Sequence, residues 1–280
     1  MKMYLWSLGL IFQLLLGSAF AQMQKPGHLS DRVYLNTTRL APGALNFFIK
    51  AFQAPQAPAL STVNAALEAL DSDASMNNIA VKYHQQLALE LGIGPRLRFD
   101  SMEAWQAANR TIVRGVGLYV ESPVEGAAVW QGINTRLRNG QALTAAQNRS
   151  LQLILASLDQ LPSISGIIFR GAGLRPESLT RYTRNAVITE PSFTSASVSY
   201  NVASGYADVS GPIDFVGRPT AGRISTIFVI SAKQASPVTA LFADYYFEYE
   251  ALLRPGTRFK VHHRLTDLAA RRSVVFLEQL

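Results

Sequence analysis

Five residues in the second half of the chain have the types and spacing to act on a charged substrate: Arg170, Ser195, Ser197, Glu248 and Glu250. Arg170 ends the apolar run "GIIFR", where a strand would carry the guanidinium inward and require an anion to meet it. In "SFTSAS" alternation puts Ser195 and Ser197 on one face of a strand and Ala196 on the other. In "YYFEYEALLRPGTRF", residues 245–259, Glu248 and Glu250 stand two apart. On a strand they share a face, with like charges about 7 Å apart or closer. Each feature has a plainer reading alone: an arginine snorkelling to solvent, a polar strand, an exposed edge strand. For the acids, "YYF" before and "ALL" after describe a strand that packs, so two carboxylates on it call for a functional reason.

Other chemistries are excluded by composition and spacing. "RGAGLRP" follows a strand, but Pro176 occupies the place of the third glycine of a dinucleotide fingerprint, so a Rossmann turn fails. Pro176 reads instead as the first residue of a helix. There is no Walker loop and no His-Glu-x-x-His. His262 and His263 alternate faces and cannot chelate one metal side by side, so no metal site is expected. The chain has no cysteine, which removes thiol nucleophiles, zinc-thiolate sites and disulfides, and leaves packing to hold the fold. The net charge is +7, but the basic residues are scattered with no run longer than a pair. That describes a solvated surface rather than a nucleic-acid or lipid footprint.

The elements that must position these residues change character along the chain. Residues 1–21 carry one early charge, Lys2, an apolar run too short to span a bilayer, and Ala19-Phe20-Ala21 before Gln22; this is the pattern of a cleaved export signal. Residues 22–58 are rich in Pro, Gln and Ala and read as an irregular lead-in. From about 59 to 161 apolar residues recur at three- and four-residue spacing, with a helix closing on Gly92. From about 164 strand-length pieces follow, "ISGIIFRG", "RISTIFVISA", "YYFEYEALL", "TRFKVHHRL" and "RSVVFLEQL". Helices followed by strands, without regular βα alternation, predict an α+β fold. The lack of disulfides in an exported chain fits a bacterial source, which makes the sequons at Asn36, Asn109 and Asn148 coincidental.

Strand-Arg-Gly, then Phe-x-Ser-x-Ser 25 residues on, then Glu-x-Glu followed by "LLRPGTRFKV" resembles the arginine-specific mono-ADP-ribosyltransferases of bacterial toxins and effectors, in particular the enzymatic domains of clostridial binary toxins. The resemblance runs over about 100–268 and includes "GINTRLRNG" in the helical part. It implies a helical N-terminal half packed on a split antiparallel β-sandwich, and a division into leader (1–21), lead-in and helices (22–99) and ADP-ribosyltransferase domain (100–280). It further implies NAD as substrate, with Arg170 on its phosphates, Gly171 offering backbone hydrogen bonds to the nicotinamide amide, and Ser195, Ser197 and Arg138 as further NAD contacts. Ser195 would orient Glu250, the catalytic acid, while Glu248 would act on the acceptor arginine. The segment 234–247 corresponds to the target-recognition loop, with Phe242, Tyr245 and Tyr246 as contacts.

Two departures from the family pattern stand out. Ala196 replaces the middle residue of Ser-Thr-Ser, and the second arginine often found downstream has only Arg218 and Arg223 as distant candidates. The implied partners are a target protein with a reactive arginine, and a delivery partner or an immunity protein, without nucleic acid and without a membrane after leader cleavage. Location would be secreted or periplasmic, with action inside a target cell. Two rival readings are an NAD glycohydrolase, which gives the ribosyl group to water, and a non-catalytic interaction module on the same fold.

Overall fold

The computed structural model describes residues 33–40, 42–71, 73–92, 99–120, 129–214, 217–238, 242 and 248–280. The leader, Tyr245 and Tyr246 lie outside these residues. The N-terminal part comprises β1 (Val33–Asn36), α1 (Thr37–Leu40), α2 (Pro42–Gln53), α3 (Leu60–Asp71), α4 (Asp73–Glu90), α5 (Phe99–Ala108), α6 (Arg110–Val120), α7 (Val129–Arg138) and α8 (Ala145–Leu158). The remainder comprises β2 (Ser163–Leu174), α9 (Pro176–Leu179), β3 (Val187–Glu190), β4 (Thr194–Ser197), α10 (Tyr200–Ala207), β5 (Ile224–Pro237), β6 (Glu250–Leu253), β7 (Thr257–Asp267) and β8 (Arg272–Gln279). No helix among the described residues is long and apolar enough to cross a membrane.

Residues 33–53 differ from the irregular lead-in expected of them. They hold a strand and a helix whose Leu45, Phe48 and Ala51 lie on one face and are buried. The prolines that colour this region, Pro55 and Pro58, fall in the connection after α2, where they end the helix rather than prevent it. The helix end read from sequence at Gly92 is in place, and the structure adds a helix start that the sequence reading did not single out. Gly92 follows α4 at φ 68°, and α8 opens on a capping box in which Thr144 and Gln147 satisfy each other's backbone.

The strands form a split sandwich. β2, β5, β8 and β7 make the larger layer, with β1 parallel to β2 at one end and β3 antiparallel to β7 at the other. β4 and β6 form a short antiparallel pair that bonds to β2 at Phe169↔Ser197 and to β5 at Ser236↔Leu252. Alternation sorts the core. Ile168, Phe228, Ile230, Val275 and Leu277 face Ala196, Ala251 and Leu253 of the short pair, with Tyr83 and Leu87 of α4 in the same cluster. Phe169, Val229 and Phe276 face the other way, onto α2, α3 and α10. A third cluster joins Val116, Tyr119, Ile154 and Leu158 of α6 and α8 to Phe193 and Leu252. Thus β4–β6 is covered on one side by the large layer and on the other by helices.

Candidate active site

Arg170 belongs to the face of β2 that carries Ile168 and Ala172, between the two strand layers. It is half-buried, and its Nη1 donates to the backbone oxygen of Ser195 at 2.5 Å. Gly171, one residue on, faces α10. A Cβ there would lie 1.7 Å from Ala203 O, so only glycine lets the helix seat on this strand. Beyond Phe169, no strand pairs the edge of β2 opposite β5 among the described residues; Gly173 O accepts from Arg223 Nη1 at 2.8 Å instead.

β4 and β6 hold the serines and one acid in register, with Ser195 opposite Leu252 and Ser197 opposite Glu250. As the alternation predicts, Ala196 turns away from both serines into the core. The Ser195 hydroxyl donates to the Glu250 carboxylate. The Ser197 hydroxyl donates to the backbone oxygen of Glu248 at 2.7 Å and accepts from Ser199 N at 2.9 Å.

The two acids are not on one strand, and this corrects the sequence reading. β6 begins at Glu250, Glu248 lies in a 3₁₀ turn before it, and Tyr249 between them has φ 47°. A left-handed residue breaks the two-residue alternation, so the acids are brought together by a turn rather than by a pleat. Glu250 is only 7% exposed. Burial pushes its carboxyl up to about 8; the Ser195 hydroxyl opposes this, Glu248 adds to it, and Arg170 opposes it. Glu248 is half-buried and is also raised by burial, while a hydrogen bond from the Tyr206 hydroxyl to its Oε1, at 3.3 Å, pulls the other way.

Tyr206 is a member of the site that the sequence reading missed, since a tyrosine in "YNVASGYA" carries no motif. Burial, Glu248 and Glu250 all hold its hydroxyl protonated and able to donate. Tyr119 is a second: it packs on Phe193 at 5.2 Å, and burial followed by Glu250 raises its hydroxyl, with Arg170 and Arg138 opposing. Arg138, the last residue of α7, donates from Nε to Ser192 Oγ at 3.0 Å. Desolvation lowers its guanidinium, and the next cause is Arg170. Two arginines in each other's field form a place for an anion. Asn134, one turn earlier on α7, accepts from Phe193 N at 3.1 Å and so ties α7 to the entrance of β4.

The other sequence candidates fall elsewhere. Arg218 is clamped on buried Asp214, with Nε and Nη2 at 2.7 and 2.6 Å from Oδ2. Arg223 is spent on the carbonyls of Pro219 and Gly173. Phe242, expected at the target surface, is 7% exposed and sits in the core with Phe193 and Leu252. His262 bonds Glu278 at 2.7 Å and packs on Phe52 at 5.3 Å, while His263 bonds Ala51 O at 3.1 Å; a bulge between Val261 and His263 breaks the alternation expected of the pair, so both rings reach α2. No group of three metal-ligating side chains occurs among the described residues.

No protein-family model and no curated protein matches the sequence. Among solved structures, the chain is similar to the ADP-ribosyltransferase Vis, a toxin from Vibrio splendidus, in complex with an inhibitor. Identity is 19%, 75% of this chain and 86% of that one are covered, and the TM-score is 0.53. The ADP-ribosyltransferase HopU1 of Pseudomonas syringae aligns over 66% of this chain and 88% of its own at 15% identity and TM-score 0.47. Exoenzyme S from Pseudomonas aeruginosa aligns over 76% and 88% at 16% identity and TM-score 0.42. With its helical half packed on two strand layers, the chain has the α+β fold of the ADP-ribosyltransferases.

Proposed function

We propose that this chain is an exported mono-ADP-ribosyltransferase of the toxin or effector type, which moves ADP-ribose from NAD to an arginine of a target protein. The observation that carries the proposal is Glu250: a buried carboxylate held by the Ser195 hydroxyl, with Arg170 and Glu248 beside it. Arg170 and Arg138 take the diphosphate of NAD, and Ser197 holds the turn that completes the site. Gly171, on the stretch of β2 whose outer edge lacks a strand neighbour, offers its backbone to the nicotinamide amide.

The bond between ribose C1′ and the nicotinamide nitrogen breaks, and its electron pair neutralises the leaving ring. Positive charge spreads over the ribose as this happens, and a carboxylate against the 2′-hydroxyl stabilises it most at the transition state. Glu250 supplies that charge. The acceptor guanidinium must approach a cationic carbon. Glu248 attracts it and takes its proton as the new bond from nitrogen to C1′ forms.

The test is nicotinamide release together with labelling of agmatine, measured for the wild type and for Glu248→Gln. The expected outcome is that Glu248→Gln loses most agmatine modification and keeps substantial hydrolysis of NAD, because water needs no carboxylate to draw it in. A parallel fall in both favours the glycohydrolase reading. Neither activity in the wild type leaves only a non-catalytic module.

A further inference from the structure

Glu248 and Glu250 are held by different means. Glu250 is the first residue of β6 and sits in the ladder opposite Ser197. Glu248 precedes the strand, and its backbone is fixed by the Ser197 hydroxyl on its carbonyl and by Val198 N donating to Tyr249 O at 3.1 Å. Between the acids, Tyr249 adopts a left-handed conformation, φ 47°, that residues other than glycine rarely take. Such a conformation persists only where the surroundings impose it.

What meets Tyr249 comes from α4, before the region that carries the sequence motifs. The His84 ring lies 4.9 Å from the Tyr249 ring at 34°, and the Tyr83 ring lies 6.3 Å away at 78°. Tyr83 is fully buried, with its hydroxyl unpartnered among the described residues, and Glu250 is among the charges acting on it. Tyr83 and His84 are 5.6 Å apart, so they present two ring surfaces to one side chain. Leu87, one turn on, anchors the helix in the same core as β2 and β5.

Resting on the transferase reading above, we infer that Tyr83 and His84 are positioning residues for the acceptor carboxylate: by gripping Tyr249 they hold the turn that presents Glu248 beside Glu250. The grip acts unequally on the two acids. Without it, Glu250 keeps its ladder partners, whereas the turn that presents Glu248 keeps only its backbone bonds and loses the ring packing on the residue that links it to the strand. The consequence is a change in the partition between arginine and water as acceptors, without a general loss of NAD chemistry. Helix α4 thereby becomes part of the machinery that selects the acceptor.

The experiment compares agmatine modification and nicotinamide release in the wild type, His84→Ala, Tyr249→Leu and Tyr249→Phe. Tyr249→Leu keeps apolar bulk without a ring, and Tyr249→Phe keeps the ring. His84→Ala and Tyr249→Leu should lower agmatine modification by roughly 10- to 100-fold, the scale of a misplaced catalytic group. Nicotinamide release into water should change by less than about threefold, and Tyr249→Phe should restore transfer. An unchanged ratio, or equal losses in both reactions, overturns the inference; so does a Tyr249→Phe protein as impaired as Tyr249→Leu. A wild type without either activity removes the transferase reading and this inference with it, whereas an active wild type with an unchanged ratio in the variants removes the inference alone. NAD affinity, read by fluorescence quenching, should match the wild type in every variant that is folded; a variant that unfolds leaves the other two to decide.

Discussion

At the scale of single residues, the chemistry turns on the charge state of Glu250. Burial raises its carboxyl to about 8, so in the free protein it is mostly protonated at neutral pH. The proposed role requires the carboxylate, and kcat/KM for NAD reports the free enzyme. The expected profile therefore rises with pH and levels off above an apparent pKa near 8, a value that belongs to the coupled Glu248 and Glu250 rather than to one of them. Initial rates of nicotinamide release from about pH 6 to about pH 10 test this. A profile flat across that range removes Glu250 from the rate expression. Replacing Glu250 with Gln removes the charge while keeping the shape, and nicotinamide release should fall by roughly 10²- to 10³-fold.

At the scale of elements, α10 is the part whose placement depends most on a single residue. Gly171→Ala would set a Cβ 1.7 Å from the carbonyl oxygen of Ala203 and 2.7 Å from Ala207 N, both backbone atoms of the helix, so the helix must move. The expected cost is about 1–3 kcal/mol in urea unfolding, as for other overpacked sites. Nicotinamide release and agmatine modification should both fall, because Gly171 is proposed to meet the nicotinamide amide and α10 brings Tyr206 to Glu248. The same elements show what can be read before a structure is known. Short-range signals were legible: Gly92 as a helix end, Pro176 as a helix start, and the alternation that turns Ala196 from its serine neighbours. Arg170, Ser195 and Glu250 were legible as a set because each stands out against the apolar strand that carries it, and the structure brings the three side by side. What depends on long-range contact was not. Tyr249 leaves the β-region where α4 meets it, so no local propensity marks the true start of β6. Tyr206 joins the site only because α10 seats against Gly171, and Phe242 looks like a surface aromatic until α6 and α8 cover it. The apolar stripe Leu45, Phe48, Ala51 was obscured by the prolines that follow it.

At the scale of the whole molecule, the site is a source of instability whose sign is fixed by its pKa. The folded chain holds a proton on Glu250 up to about pH 8, while the unfolded chain releases it near the ordinary value of 4.5. The stability this contributes is complete below the unfolded value and is lost as pH rises through the folded one. Glu250→Gln has no charge to bury, so its melting temperature should gain on the wild type as pH is raised from about 5 to about 9. Equal pH dependence in the two proteins would place the buried charge elsewhere. The strand order has a different bearing on the fate of the protein. Among the described residues β2, β4, β6 and β5 bond to one another in a closed circuit, the outer edge of β7 is unpaired beyond Val261 and that of β2 beyond Phe169, and the terminal strands β1 and β3 have one partner each. Both are four residues long. Strands this short offer little template for another chain, and the longer open stretch of β7 carries Arg264 and Asp267, so a protein with no disulfide to hold it together sets charge, rather than closure, against edge-to-edge aggregation.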